Sequence, residues 1–488
     1  MIKKVCNTYK NLSVVAKASL WFLFCTMFQK CLAILTTPIF TRIMDSDQYG
    51  YFSTYLSITT ILTVVLTLNF DSCAYMNGIV KFENEAEKKQ LATSLLSFTV
   101  LLTLSIGAIT FLLRDPLSKA LKLPSALILL MIIEILFIPP VKFWMVKQRF
   151  AYKYISVVAV TLGMLIVNNL LGIILVLNST SNQAVFRVMT IALVQFIAGI
   201  TLYIYYIKQS GFFRLTKYWK YGLKLNLPLV PHGLSIVILS SSDRVMINSM
   251  VGATQAGIYG VAYSVGLIIN SIKLSLVDAV KPWIYEKLKK REFGDISKVC
   301  NLIFLLNILM TFIIIGIAPE IIKFFAPPKY STAVYIVPPV AASSYFTFIY
   351  NICSIVELYY ERNKRIMIAS VLAAVINVIL NYIFIPIYGF IAAGYTTLVS
   401  YIILSLLHFI FLNCIRKEEM NDVAIINVKS SLLLSVLVLG GMIAFTYLYA
   451  YTVARIVVVL VILLICYIYR NKFIDLLKSV KKVKKRVE

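Results

Sequence analysis

NLPLVPHGLSIVILSSSDRVMINSMVGATQAGIYGVAY, residues Asn226–Tyr263, sets charged residues inside an otherwise membrane-like apolar run. It is apolar enough to lie in hydrocarbon, yet it carries Asp243 and Arg244 side by side behind Ser240, Ser241 and Ser242. On an insertion scale each charge at the centre of a membrane helix costs roughly 2.5–3.5 kcal/mol. A sequence that keeps both either neutralises them against neighbours or sets them in a watery cavity. The stretch also sits near the middle of the chain, where the pattern of the first half starts again.

Outside it the composition is equally apolar. Of 488 residues, 60% are hydrophobic and 14% charged, and mean hydropathy is +0.86. Soluble domains hold about 45–50% apolar and about 25% charged residues, so an all-α polytopic membrane protein is expected. Fourteen apolar runs, each near the ~20 residues that cross a bilayer, lie at about 14–41, 50–77, 90–113, 123–144, 154–177, 185–207, 224–250, 256–281, 299–325, 332–357, 365–386, 390–413, 429–449 and 453–469. They divide into a first lobe (1–207), a second lobe (208–413) and two further spans with a basic tail (414–488). The first run is too long for a cleavable signal. Eight cysteines are scattered without a CxxC pair, and the two histidines are His232 and His408. Neither a metal site nor a disulfide is expected from that pattern. No GxxxxGK[ST] phosphate loop occurs, so no nucleotide cofactor is expected either.

The net charge of +26 would suggest nucleic acid in a soluble protein. Here its distribution reports topology. With the N-terminus in the cytoplasm, 35 Lys and Arg fall on the cytoplasmic side and 8 on the other, alternating along the chain. That is the positive-inside bias, and it predicts an even number of spans with both termini cytoplasmic. The tail KSVKKVKKR reads as a solvated tail with an added pull on anionic lipid.

The halves repeat. Gln48-Tyr49-Gly50 returns as Gln255-Ala256-Gly257, and Asp71 as Asp278, both at an offset of 207 residues. Asn168 returns as Asn381 at 213. Six spans per copy is an even number, so both copies share one orientation, as in transporters built from parallel repeats.

The charged and helix-breaking residues inside the runs are the candidates for function. Lys30 lies mid-span and is either partnered inside the bundle or part of a cationic cavity wall. Pro38 is a kink site suited to a gate, and Arg42 stands at the outer end of the same run. Lys273 and Asp278, five residues apart, turn about 140° from each other on a helix, so Lys273 needs another partner or a wet cavity. Asp71, Asp278 and Glu134, the last set among apolar neighbours, are carboxyls that either pair locally or couple transport to an ion. Pro228 and Pro231 break span seven, and His232 reads as a structural imidazole. Asp243 and Arg244 point about 100° apart and should bond to neighbouring helices rather than to each other. Asn377 and Asn381, one turn apart, share a face suited to bonds across helices.

Taken in order, Thr37-Pro38 with Arg42, Tyr49-Gly50, Pro228 with Pro231-His232, Ser242-Asp243-Arg244, Gly257 with Tyr259, and the Asn377–Ala393 hairpin resemble one family. It is the polysaccharide flippases of the multidrug/oligosaccharidyl-lipid/polysaccharide exporter superfamily, in their O-antigen (Wzx-type) branch. The resemblance implies two pseudo-symmetric six-helix lobes in a V, as in multidrug (MATE) exporters, and rocking alternating access. It implies a polyprenyl-diphosphate-linked oligosaccharide moved from the inner to the outer leaflet of a bacterial inner membrane. Partners would be that lipid, membrane lipid and polysaccharide-assembly proteins, not nucleic acid. Lys30, Arg42, Arg244 and Lys273 become the expected contacts of diphosphate and glycan. Asp71, Glu134 and Asp278 become the ion-coupling groups, and Pro38, Pro228, Pro231, Asp243, Asn377 and Asn381 structural or gating residues. No catalytic residue is expected.

Two other readings stay open. A drug or cation antiporter of the same superfamily would want acidic cavity residues, whereas the unpaired mid-span charges here are more often basic. A membrane polymerase or transferase would present catalytic groups in large outer loops, and outer loops such as 252–256 and 386–389 are short.

Overall fold

The computed structural model describes residues 14–211 and 217–471. Among them the regular structure is helical throughout. The basic tail expected at the end of the chain lies outside the described residues.

Among the described residues thirteen helices are long and apolar enough to cross a membrane, and a shorter apolar helix, Thr452–Ile468, follows them as span fourteen. Spans one to six are Val14–Ile43, Ser46–Thr67, Glu85–Leu112, Ser125–Phe150, Tyr154–Leu177 and Gln183–Ser210. Span seven is Val230–Met250, preceded by the helix Lys217–Asn226. Spans eight to twelve are Ala253–Lys289, Phe293–Gly316, Val337–Tyr359, Asn363–Tyr388 and Ala392–Glu419, and span thirteen is Val428–Leu448. The all-helical polytopic class is therefore the one the composition demands. Spans thirteen and fourteen leave Leu432, Leu433, Val436 and Leu460 exposed, the surface that a bilayer rather than water would cover.

The chain forms two compact units. One comprises residues up to Val237 together with Gly252–Gly257; the other comprises Ile238–Val251 and the chain from Ile258 onward. The first unit is centred on rings such as Tyr75 and Phe143, stacked with centroids 4.4 Å apart. In the second, the Phe304 ring packs edge-on against Tyr345 and Phe348.

Three helices depart from the expected runs. Span two ends at Thr67, where Leu68 and Asn69 adopt left-handed backbone, and Asp71–Tyr75 forms a π turn before the short helix Met76–Lys81. The amide of Asn226 closes this break. Its Nδ2 donates to the carbonyls of Leu68 (2.9 Å) and Asn69 (2.7 Å), and its Oδ1 accepts from the Ala74 N–H (2.9 Å). A break inside a membrane needs such an internal partner, because hydrocarbon supplies none. Span seven is interrupted at Leu227–Leu229 by a 3₁₀ turn at Pro228, where proline lacks the N–H that would continue the helix. Span nine stops at Gly316, and a separate helix, Ala318–Phe325, starts with Pro319 in its first turn. By contrast, the first span continues as helix through Pro38 to Ile43.

The last helix is anchored rather than long. Its Arg455 is buried and donates to both carboxylate oxygens of Glu320 at 2.6 Å and to the Gly316 carbonyl. This bidentate, charge-assisted bond is the strong kind, and it holds the Glu320 carboxyl below the usual carboxylate range.

Gly50 and Gly257, the repeat-related pair, meet within the first unit. A methyl group at Gly50 would stand 1.7 Å from the Ala253 carbonyl oxygen, and one at Gly257 2.8 Å from that of Ser46. Gly163 has nothing within 4 Å. Gly50→Ala is therefore expected to lower stability by about 1–3 kcal/mol, the usual penalty of overpacking. Gly163→Ala should be neutral or stabilising by up to about 1 kcal/mol, from helix propensity. Thermal melting of the detergent-solubilised protein distinguishes the two; equal melting would show that the crossing is not tight.

Candidate functional site

Asp243 sits at the centre of a polar knot in the second unit. Its side chain is fully buried. Oδ2 accepts from the Tyr259 hydroxyl at 2.5 Å and the Thr397 hydroxyl at 2.8 Å, and Oδ1 accepts from Asn381 Nδ2 at 2.7 Å. The knot continues outward: Ser242 donates to Asn377 Oδ1 (3.0 Å), Asn377 Nδ2 to Thr397 (3.2 Å), and Thr396 to Asn381 Oδ1. Spans seven, eight, eleven and twelve each contribute. A buried carboxylate closed by three neutral donors is held without an ion pair, which such burial otherwise requires. Arg244 turns elsewhere. It donates to the Ser240 carbonyl at 2.6 Å and lies over the Tyr263 ring, 4.5 Å from its centroid. The two charges thus bond to different neighbours.

Tyr263 also lines the cavity that holds Lys273. This cavity, about 50 Å³, has Asn270, Ser343, Ser344, Thr347, Thr397 and Tyr401 among its walls and no carboxylate among the described residues. Lys273 is 5% exposed and donates to the Thr347 hydroxyl at 2.6 Å. Two of the four cations singled out in the sequence, Arg244 and Lys273, are therefore brought to one aromatic ring and the cavity beside it. The other two belong to the first span. Arg42 is exposed and donates to the Pro38 carbonyl at 2.8 Å, and Lys30 is half-buried and forms no ion pair with a described residue.

The three candidate coupling carboxyls part company. Glu134 is buried and accepts the Tyr55 hydroxyl at 2.5 Å. Its neighbours are thus not all apolar, because span two brings a phenol that linear sequence hides. Asp71 lies in the π turn, 3.9 Å from Lys142. Asp278 is exposed and forms no ion pair with a described residue. Pro228 and Pro231 are exposed at the break before span seven, whereas Pro38 is buried.

Sequence reasoning missed two charged clusters. Arg187, one of the eight basic residues that the positive-inside count sets on the non-cytoplasmic side, is 5% exposed inside the first unit. It donates to Asn168 Oδ1 (2.6 Å), Asn169 Oδ1 (3.1 Å) and Thr190 (3.1 Å), and stacks on Phe40 and Phe52 at 4.4 and 5.4 Å. The adjacent asparagines inside an apolar run were the signal for it. This knot repeats the Asp243 one with inverted charge. Phe52 and Tyr259, and Thr190 and Thr397, are both 207 residues apart, and Asn168 and Asn381 are 213 apart. The second cluster pairs Glu357 of span ten with His408 of span twelve. Oε1 and Nδ1 lie 2.9 Å apart with both side chains fully buried, and the Tyr350 ring packs on the imidazole. Among the described residues no group of three His, Cys, Asp or Glu side chains is placed to hold a metal.

Residues 15–288 match the family described as Polysaccharide biosynthesis protein. The chain belongs to that family. Residues 228–383 also match the MatE family. A solved structure of the lipid II flippase MurJ, in an inward closed conformation, superposes with a TM-score of 0.72 at 17% identity, covering 93% of this chain and 100% of that one. An inward-facing multidrug resistance MATE transporter of the MOP superfamily gives 0.59 at 12% identity, over 83% and 99%. Among curated proteins, the Lsg locus protein 1 of Haemophilus influenzae is 26% identical over 166 residues, 32% of this chain and 40% of that relative's length. Family and fold together make this polysaccharide biosynthesis protein a multi-pass membrane transporter of the MOP superfamily, related to MurJ and MATE proteins.

The Glu357–His408 pair yields a stability test. Removing one partner of a buried pair strands the other, at about 3–5 kcal/mol, whereas replacing both with apolar groups is near neutral or stabilising. His408→Leu should therefore melt well below wild type, and Glu357→Leu/His408→Leu should recover most of that loss. Additive losses in the double variant would show that the two groups do not act as a pair.

Proposed function

We propose that this chain moves a polyprenyl-diphosphate-linked oligosaccharide from the inner to the outer leaflet of a bacterial inner membrane. In this reading two lobes, 1–207 and 208–413, alternate access, and both termini are cytoplasmic, as the positive-inside bias favours. One observation carries the reading. Lys273 is a buried lysine whose amine donates to a neutral hydroxyl, in a cavity with no carboxylate among the described residues of its walls. Such a group favours an anion and repels a cation. A diphosphate cannot enter hydrocarbon bare, and a fixed ammonium replaces part of its lost hydration.

Arg244, on the Tyr263 ring at the same wall, supplies the second positive charge. Lys30 and Arg42 serve the same cargo from the first span. At about 50 Å³ the cavity is far below the ~300 Å³ at which small-ligand pockets begin, so its walls must part to admit the head group of such a cargo. A cycle of alternating access supplies that opening, while hydroxyls and amides contact sugar and the prenyl tail stays in lipid. The family description and the flippase among the structural relatives support a lipid-linked sugar as cargo. Polysaccharide-assembly proteins are the partners this cargo implies. Glu134, buried on the Tyr55 hydroxyl, is the foremost coupling group, ahead of the ion-paired Asp71 and the exposed Asp278. A cation antiporter is disfavoured by the acid-free cavity.

Replacing Lys273 removes a charge-assisted bond of about 1.5–3 kcal/mol, so Lys273→Gln should slow translocation roughly tenfold to a hundredfold. In cells lacking the native gene, Lys273→Gln should leave lipid-linked repeat units on the inner leaflet, and Lys273→Arg should relieve this. Normal surface polysaccharide with Lys273→Gln would contradict the reading, and unpolymerised units on the outer leaflet would favour a polymerase. Glu134→Gln should abolish the accompanying proton flux; an unchanged flux removes Glu134 from that role.

A further inference from the structure

We propose that the inner end of the first unit carries a second anion site, one that takes a small phosphate ester and is separate from the Lys273 cavity. A pocket of about 230 Å³ opens there between the short helix Met76–Lys81 and spans three, four and six. Lys88 and Lys89 enter it from the first turns of span three, and Lys147 from the last turn of span four. Glu85 is the one carboxylate on its lining. It pairs with Lys88 at 2.7 Å and lies in the field of all three lysines. Three ammonium groups thus face one carboxylate. Glu87, the other acid on this turn, is drawn to Lys217 at 3.4 Å. Lys147 is steered by Tyr205, with Nζ 3.3 Å from its hydroxyl.

The pocket has a built floor, which separates it from a merely solvated basic face. Tyr75 and Tyr206 are 2% exposed and set their phenols side by side. The Tyr206 hydroxyl makes no hydrogen bond of good geometry. Stacking on Phe143 fixes Tyr75 in place. The lysines above these phenols offer an anion charge, and the two rings close the pocket beneath it.

Size and position narrow the ligand. Pockets that enclose drug-sized molecules run about 300–1,000 Å³. This one is smaller and suits a phosphate ester with little attached. The cation bias of the chain puts these lysines at the cytoplasmic headgroup level, where each basic residue gains about 1 kcal/mol against anionic lipid. The phosphate has two sources, an anionic lipid headgroup or a small soluble phosphate.

Native mass spectrometry of the full chain, released from phosphatidylcholine vesicles containing phosphatidylglycerol, tests the site. Wild type should retain phosphatidylglycerol over phosphatidylcholine. Lys89→Gln/Lys147→Gln should weaken that retention roughly twenty-five-fold, at about fivefold per lysine. Lys298→Gln/Lys364→Gln, on the same face but outside the pocket, should change it little. Lys147→Glu alone, at a half-exposed position, must also lose binding, so the proposal survives a double variant that fails to fold. Displacement by added inorganic pyrophosphate identifies the soluble source; retention in its presence identifies the headgroup. The proposal is overturned if the pocket and control variants bind alike, or if Lys147→Glu binds as wild type does.

Discussion

Hydrocarbon offers a polar group no water, and that constraint shapes this molecule more than any other. Each charge kept inside a unit must be closed by partners from the same unit. Arg187 is closed by two asparagines, a threonine and two rings; Asp243 by a tyrosine, a threonine and an asparagine. Glu357 and His408 bond to each other through Oε1 and Nδ1, while Glu357 Oε2 and His408 Nε2 stay buried without a hydrogen bond among the described residues. Even the backbone obeys the rule, since the break after span two is bonded to Asn226. Against this background Lys273 stands apart: a buried basic side chain whose bonded partner is a neutral hydroxyl, beside a small polar space.

The inverted knots give the internal repeat a physical meaning. Equivalent spans of the two copies converge on one charged side chain, positive in the first unit and negative in the second. The asparagines at repeat-related positions serve both signs, because an amide offers an acceptor to Arg187 and a donor to Asp243. A duplicated scaffold can thus diverge in charge while its amide and threonine frame is kept. The same geometry explains why Asp243 and Arg244 tolerate each other as neighbours: Asp243 belongs to the frame, and Arg244 to the aromatic wall.

Much of this was legible in the sequence, for identifiable reasons. Bilayer spans are long apolar runs, so every expected run has its helix. The shared face of Asn377 and Asn381 follows from their one-turn spacing, and the divergence of Asp243 and Arg244 from the helical angle between neighbours. What stayed hidden depends on convergence in space. Glu357 and His408 are 51 residues apart on different helices. Tyr55 reaches Glu134 from 79 residues away. Arg187 lies near the end of its run, where an arginine reads as an interfacial cation until the helices around it are placed. The break after span two was hidden too, because its left-handed residues, Leu68 and Asn69, carry no glycine or proline to announce it.

On the proposed function, the buried Lys273 selects a phosphorylated lipid as cargo. The most direct measurement is a leaflet-access assay in sealed vesicles containing the purified chain, with a labelled polyprenyl-diphosphate sugar placed in one leaflet. Protein-dependent appearance of the label in the opposite leaflet is expected, competed by unlabelled diphosphate lipid and not by organic cations. Movement no faster than in protein-free vesicles, or competition by cations instead, would contradict it.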